Sequence, residues 1–228
     1  WVAHAIQDGY CDNVTLRLKG DLYNFPYRRK DEGEFVIDAR WNDGTLAFAP
    51  GWPAIERFQG NLRFERAGMQ VAMRSGRTYG VTLGNTQAYI RDFLEPMLVV
   101  EGAGEGPAQD MIRFVNSTPV ATRIDDFTRE ATADGNAALS LKLDLPLDRL
   151  DESHIAGAVR FRGNALTLDR TIPTLSDVVG ALEFSERGLA LRDISATFLG
   201  GPLKVRGETL EPGHFVIVGE GAISADGM

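Results

Sequence analysis

The segment Gly60–Val71, with the sequence GNLRFERAGMQV, recurs as Gly180–Leu191, with the sequence GALEFSERGLAL. The two segments are offset by 120 residues, and the same offset relates Gly44–Pro53 to Asn164–Pro173. A constant offset over turn positions and apolar positions indicates an internal repeat, in which one supersecondary unit is used twice. The chain is therefore predicted to contain two copies of one β unit.

Apolar and polar residues alternate along most of both copies. In Val14–Leu18 the apolar residues occupy every second position, and in Leu139–Leu145 every second residue is leucine. A period of two is typical of strands that bury one face. Short turns between such strands favour antiparallel pairing. We predict a mainly β protein with about five strands in each copy and one sheet continuous through both copies.

Two kinds of segment, turn-forming and strand-breaking, separate the predicted strands. Asn42–Gly44 contains an Asp-Gly pair, which supplies the positive φ of a tight hairpin turn. Arg162–Asn164 occupies the equivalent place in the second copy. Each is predicted to be a hairpin turn. Pro50–Pro53 interrupts the ladder, because neither proline can donate a backbone hydrogen bond.

A short helical connector is predicted between the copies. Pro107 suits the first position of a helix, and Met111, Phe114 and Val115 follow at helical spacing. The pattern is broken near Ser117–Pro119. We therefore divide the chain into a first repeat at 1–106, a connector at 107–135 and a second repeat at 136–228.

Charge and composition exclude several classes of protein. The formal net charge is −8, without a basic block, and this argues against binding to nucleic acid. The sequence contains no apolar run of the ~18 to 20 residues that a membrane-spanning helix needs. It begins at Trp1 and is interpreted as an internal fragment, and its single cysteine, Cys11, can form no internal disulfide.

No motif in the sequence gives a strong indication of nucleotide binding, metal binding or hydrolysis. Gly102–Gly106 has glycine at every second position, which is not the GxGxxG spacing, and it is interpreted as a turn before a helix. His4, His154 and His214 share no ligand spacing with a cysteine or a carboxylate. A hydrolase is disfavoured because no serine lies in a GxSxG elbow. We therefore predict a protein that is not an enzyme and has no cofactor and no metal.

Two architectures remain open at this point. The apolar faces could form the closed core of a β sandwich, or they could line an open groove in a curved sheet. Both require one dry face on each strand, so periodicity does not separate them.

Several phrases resemble the YhdP family of AsmA-like proteins, and their order extends over essentially the whole chain. They are Leu16–Leu22 (LRLKGDL), Asp43–Ile55 (DGTLAFAPGWPAI), Gly60–Phe64 (GNLRF), Gly102–Pro107 (GAGEGP), Met111–Val115 (MIRFV) and Phe198–Pro202 (FLGGP). The resemblance implies a curved antiparallel sheet built from two tandem β-groove repeats. It also implies a segment of a periplasmic bridge that carries phospholipid between the inner and outer membranes.

The same resemblance implies that acyl chains lie along the apolar alternation. The residues expected to line this groove are Leu46, Phe48, Leu62, Phe64, Met69, Val71, Leu166, Leu168, Leu182, Phe184, Leu189 and Leu191. Contact with either membrane, including an anchor in the inner membrane, is expected only through parts of the full-length protein outside this chain. The alternative is an envelope-assembly scaffold or chaperone that binds protein strands. Exposed strand edges further predict weak edge-to-edge self-association.

Overall fold

The computed structural model describes residues 6–47, 51–124, 126, 128–211, 214–222 and 224. The elements in chain order are β1 (Ile6–Gly20), β2 (Gly33–Leu46), β3 (Ile55–Glu65), β4 (Gly68–Thr78), β5 (Val81–Asp92), β6 (Glu95–Pro107), α1 (Ala108–Asn116), α2 (Val120–Arg123), β7 (Thr132–Asp134), β8 (Asn136–Pro146), β9 (His154–Thr167), β10 (Leu175–Ser185), β11 (Gly188–Phe198), β12 (Gly201–Glu211) and β13 (His214–Gly221). Short 3₁₀ turns follow β1 and β8.

All thirteen strands form one antiparallel sheet. Neighbouring strands follow chain order from β1 to β6 and from β8 to β13, and the short β7 pairs with β9. β1 and β13 lie at opposite ends of the sheet, so the described part of the sheet is open. The predicted fold class, a curved antiparallel sheet of two tandem repeats, is confirmed. A closed sandwich is excluded, because no second sheet is present among the described residues.

The strands of the first half return in the second half at the same spacing. β3, β4 and β5 begin at Ile55, Gly68 and Val81, and β10, β11 and β12 each begin 120 residues later. Each half contributes six long strands, β1 to β6 and β8 to β13, so the expected number of about five was one too low. The division at 106/107 and 135/136 stays a prediction.

The predicted hairpin turns at Asn42–Gly44 and Arg162–Asn164 are wrong. Both segments lie inside a single long strand, β2 or β9, and each contains a β-bulge. Asp43 has a φ of 50° and Gly163 has a φ of 90°. A residue with positive φ serves a bulge as well as a hairpin turn, so the Asp-Gly pair correctly indicated a positive φ but did not indicate a turn. Bulges bend and twist the strand that carries them, which favours a curved sheet.

The two copies join through an unbroken ladder. β6 pairs with β8 from Met97 opposite Pro146 to Pro107 opposite Asn136, without a register shift. The connector therefore leaves the sheet at the end of β6 and returns at the start of β8, while the strands on either side remain neighbours.

The sheet has two rims, the connector rim and the opposite rim. The connector rim contains the β2–β3 loop, the β4–β5 turn at Tyr79 and Gly80, and the junction of β6 with α1. The opposite rim contains the β3–β4 turn and the β5–β6 turn at Phe93 and Leu94.

Candidate functional site

The concave face of the sheet is an apolar groove. Forty-two described residues line it, and none of them carries a charge. Four threonines are the only hydroxyl-bearing side chains among these lining residues. The space between the walls is about 2500 Å³ when the part open to solvent is included. Such a surface suits hydrocarbon and offers no partner for an ionised group.

The structure brings ten of the twelve predicted groove residues into this lining. They are Leu46, Leu62, Met69, Val71, Leu166, Leu168, Leu182, Phe184, Leu189 and Leu191. Phe48 lies outside the described residues. Phe64 is not among the lining residues: it packs against a buried cluster that includes Met69, and its ring centroid is 6.3 Å from that of Phe93. Contact of these side chains with lipid stays a prediction.

One buried cluster lies in the middle of the groove and joins both copies. This central cluster consists of Met69, Ile90, Leu98, Leu143, Leu145 and Ile155, from β4, β5, β6, β8 and β9. Phe184 packs against it from β10. The groove is therefore continuous across the junction of the copies.

Sequence reasoning missed the strands nearest the junction. Val100 on β6 and Leu139, Leu141 and Leu143 on β8 all line the groove. Their signal was present, because Leu139–Leu145 alternates strictly. The offset of 120 residues does not indicate these positions, because β6 and β8 lie outside the best-matched part of the repeat.

The connector also lines the groove, which sequence reasoning did not predict. Met111, Phe114 and Val115 of α1 and Val120 of α2 are among the lining residues. Phe114 meets Trp52 of the β2–β3 loop with ring centroids 5.9 Å apart. The helical spacing of these side chains was visible in the sequence, but periodicity alone does not indicate which surface an apolar helix face covers.

Charged side chains lie on the convex face, where they pair between neighbouring strands. Arg63 on β3 donates hydrogen bonds of 2.8 and 2.9 Å to the carboxylate of Asp38 on β2. The hydrogen bond to Asp38 is the main reason why the pKa of Arg63 is raised. Lys142 on β8 lies 3.1 Å from Glu101 on β6, and this contact raises the pKa of Lys142. Charge is thus segregated from the groove.

The segment Gly102–Gly106 belongs to β6, so the predicted turn before the helix is wrong. Its residues pair with both β5 and β8. A Cβ on Gly104 would lie 3.0 Å from side-chain atoms of Leu83 and Val81. The glycines therefore let groove side chains of β5 lie against the backbone of β6. Alternate glycines serve strand packing here.

The histidines that the structure describes lie apart from one another. His154 is at the start of β9, 3.5 Å from Glu186, and His214 is at the start of β13; His4 lies outside the described residues. Within the described ranges, no group of three or more His, Cys, Asp or Glu side chains is placed to hold a metal ion.

Comparison with known proteins gives two matches. The model of the YhdP protein family matches residues 1–226. The protein named intermembrane phospholipid transporter YhdP, from Escherichia coli (strain K12), is 28% identical over 211 residues. This alignment covers 92% of the present chain and 16% of the relative, so the chain spans only a small part of the relative's length. No solved structure gives a significant match.

A single open sheet whose described concave lining bears no charge defines a protein with an apolar groove. The match over 1–226 shows, more specifically, that the chain belongs to the YhdP family. None of the described helices is long and apolar enough to cross a membrane.

Proposed function

We propose that this chain is a segment of a bridge that carries phospholipid between the inner and outer membranes of the bacterial envelope. The observation that carries the proposal is the continuous groove, whose described lining residues come from both copies and bear no charge. The similarity to a relative named as an intermembrane phospholipid transporter supports the same substrate class.

The physical basis is transfer of acyl chains out of water. Each buried methylene contributes about 0.8 kcal/mol, so a partly covered chain is already held. The head group stays in water on the open side, because the lining offers no cation or anion to bind it. A lining without directional polar contacts also lets an acyl chain slide along the sheet. The chain is proposed to act by binding and guiding lipid, without catalysis.

The proposed location is the periplasm. Attachment to the inner membrane, and contact with the outer membrane, are assigned to parts of a longer protein that this chain does not contain. The edges of the sheet are proposed to join neighbouring segments, and in the isolated chain to give weak self-association.

The alternative of a scaffold that binds protein strands is weaker. A bound strand needs a sheet edge for its backbone hydrogen bonds. The feature that distinguishes this fold is the interior of the groove, which supplies apolar contact and no backbone partner.

Native mass spectrometry of the chain, purified without detergent, tests the proposal. Protein ions that carry phospholipid masses, confirmed by lipid extraction, are expected. A lipid-free spectrum after gentle purification, together with no uptake from phosphatidylethanolamine vesicles, would contradict it.

A further inference from the structure

The connector extends from the connector rim over the concave face of the sheet. Met111 packs in a cluster with Val81, at the start of β5, whereas Val120 packs against the central cluster, which contains Ile90 near the end of β5. The connector therefore extends over the concave face and covers the junction of the two copies.

The side of the connector that faces the sheet occupies the place of a ligand. Met111 is buried, and Phe114, Val115 and Val120 are partly buried in the groove lining. On the other side of α1, Arg113 and Asn116 are exposed. The connector thus covers the same apolar surface that an acyl chain would cover.

The end of α1 is held to the connector rim by exposed polar contacts. The hydroxyl of Tyr79 lies 3.1 Å from Oγ of Ser117. The guanidinium carbon of Arg113 lies 4.3 Å from the centroid of the Tyr79 ring. We refer to these three residues as the latch.

The start of α1, which we call the root of the connector, is held by hydrogen bonds that do not involve the latch. The backbone N–H of Ala108 donates to the carbonyl of Gly135 at 2.9 Å, and the N–H of Ala133 donates to Oε1 of Gln109 at 2.9 Å. Release of the latch would therefore leave the connector attached at its root, so it could return to the same place.

We infer that the connector is a gate, which closes the groove at the junction of the two copies and must lift from the central cluster when a phospholipid passes. This inference rests on the proposed function. A lipid whose head group travels along the open side cannot pass a segment that crosses that side. Passage therefore requires the apolar side chains of the connector and the acyl chain to exchange places.

A disulfide across the gate provides the test. A Cβ on Gly80 would lie 3.1 Å from Cγ of Asp110, whose place the sulfur of a cysteine at position 110 would take. The two positions are therefore close enough for a disulfide, in which the Cβ atoms are roughly 3.5–4.5 Å apart. The double variant Gly80→Cys, Asp110→Cys is made in a Cys11→Ser background, so that only one disulfide can form. Oxidation then joins the first turn of α1 to the β4–β5 turn in addition to the hydrogen bonds of its root, so that the helix cannot pivot about the root.

The probe is phosphatidylethanolamine with a diazirine in one acyl chain, supplied in vesicles. After illumination, the labelled peptides are mapped by mass spectrometry in the oxidised and reduced protein. Adducts on the central cluster, at Leu98 and Leu143, are expected to fall at least fivefold on oxidation and to return on reduction. Adducts at Leu191 on β11, which packs in a separate cluster in the second copy, are expected to stay unchanged.

Two other labelling results would each overturn a different part of the proposal. Equal labelling of the central cluster in both redox states, with labelling at Leu191 present, overturns the gate and leaves the proposed function standing. The absence of adducts at every groove residue in both states overturns the proposed function, and the gate with it.

A latch variant tests the same inference without a crosslink. Tyr79→Phe removes the hydroxyl that meets Ser117 and keeps the ring beneath Arg113. Labelling of the central cluster is expected to rise at least twofold. Tyr89→Phe on β5, whose ring lies near Arg91, is the matched control and is expected to leave labelling unchanged. Equal labelling in the two variants would count against the latch as the element that holds the gate closed.

Discussion

Gly157 on β9 and Phe184 on β10 are direct partners in the sheet, and the ring of Phe184 lies over the position that a side chain on Gly157 would need. A Cβ at this position would overlap the ring, and it would also lie 2.7 Å from the carbonyl oxygen of Ser140. The absence of a side chain at Gly157 therefore leaves the space that the Phe184 ring occupies in the groove.

Gly157→Ala is expected to destabilise the protein by about 1–3 kcal/mol, because the ring and the neighbouring backbone must both shift. The midpoint of urea unfolding measures this change. Gly84→Ala on β5 is the matched control, since among the described residues beyond its chain neighbours only the Arg74 carbonyl oxygen would lie within 4 Å of its Cβ, at 3.9 Å. A Gly157→Ala protein as stable as the Gly84→Ala protein would show that Phe184 is free to move.

Phe184→Glu is expected to fold and to lose most of its phospholipid. In an open groove the carboxylate can reach water, so the cost is mainly the lost aromatic contact, about 1–3 kcal/mol. Urea unfolding and native mass spectrometry measure the two effects. Ser195→Glu is the control, because Ser195 is exposed on β11 opposite Lys204. Retention of lipid by the Phe184→Glu protein would remove this ring from the lipid path.

Phe64→Glu is expected to behave differently from Phe184→Glu, although the two residues are related by the repeat. Phe64 packs against the central cluster and near Phe93 and is absent from the groove lining. The variant should therefore lose more stability and less lipid than Phe184→Glu. The same two measurements compare them, and an identical pair of effects would contradict the difference in their surroundings.

Glu186 is expected to make the stability of the protein depend on acid pH. Backbone hydrogen bonds from Glu186 itself and from Ile155 lower the pKa of its carboxyl, against a smaller opposing effect of burial. A lowered folded-state pKa contributes stability above the ordinary pKa of about 4.3, and this contribution is lost as the pH falls through the folded value. Glu186→Gln should therefore be less stable than the parent at pH 7, by up to about 1 kcal/mol.

The difference between the parent and Glu186→Gln should shrink towards zero as the pH falls below about 4. Urea titrations at a series of pH values measure it, with Glu208→Gln, an exposed carboxylate on β12, as the control. A difference that stays constant into acid would show that ionisation of Glu186 does not contribute.

The edge strand β13 is expected to mediate weak association of the isolated chain. Val216 and Val218 are exposed there, and β12 is the only strand with which β13 pairs among the described residues. Sedimentation velocity at increasing concentration should show a shift towards dimer. Val216→Lys with Val218→Lys should abolish it, whereas Gln70→Lys with Ala72→Lys, on the central strand β4, should not. A parent chain that stays monomeric at high concentration would contradict the prediction.

The repeat and the alternation were sufficient to predict the sheet, because both arise from local chemistry that each strand carries in its own residues. Gly60–Val71 and Gly180–Leu191 have the same hairpin pattern, and each forms a hairpin in the structure. The choice between a bulge and a turn at Asp43 could not be predicted, since both use positive φ and they differ in whether the strand continues afterwards.

The groove was predicted through alternation, but the position of the connector was not. An amphipathic helix indicates that one face is covered, and it contains no information on which distant surface does so. The contact between Phe114 and Trp52 joins segments about sixty residues apart, and a single sequence holds no record of such a pair. The same limit explains why Phe64 and Phe184 were treated as equivalent.

The uninterrupted ladder between β6 and β8 means that adding copies of the unit would lengthen the sheet in equal steps. The hydrogen-bonded step across the junction has the same spacing as a step within a copy, about 4.8 Å, so each additional copy of six strands lengthens the sheet by about 29 Å without a new kind of joint. The span of such a protein is thus set by how many times the unit is duplicated, in whole-copy increments, while the cross-section offered to a hydrocarbon chain stays the same.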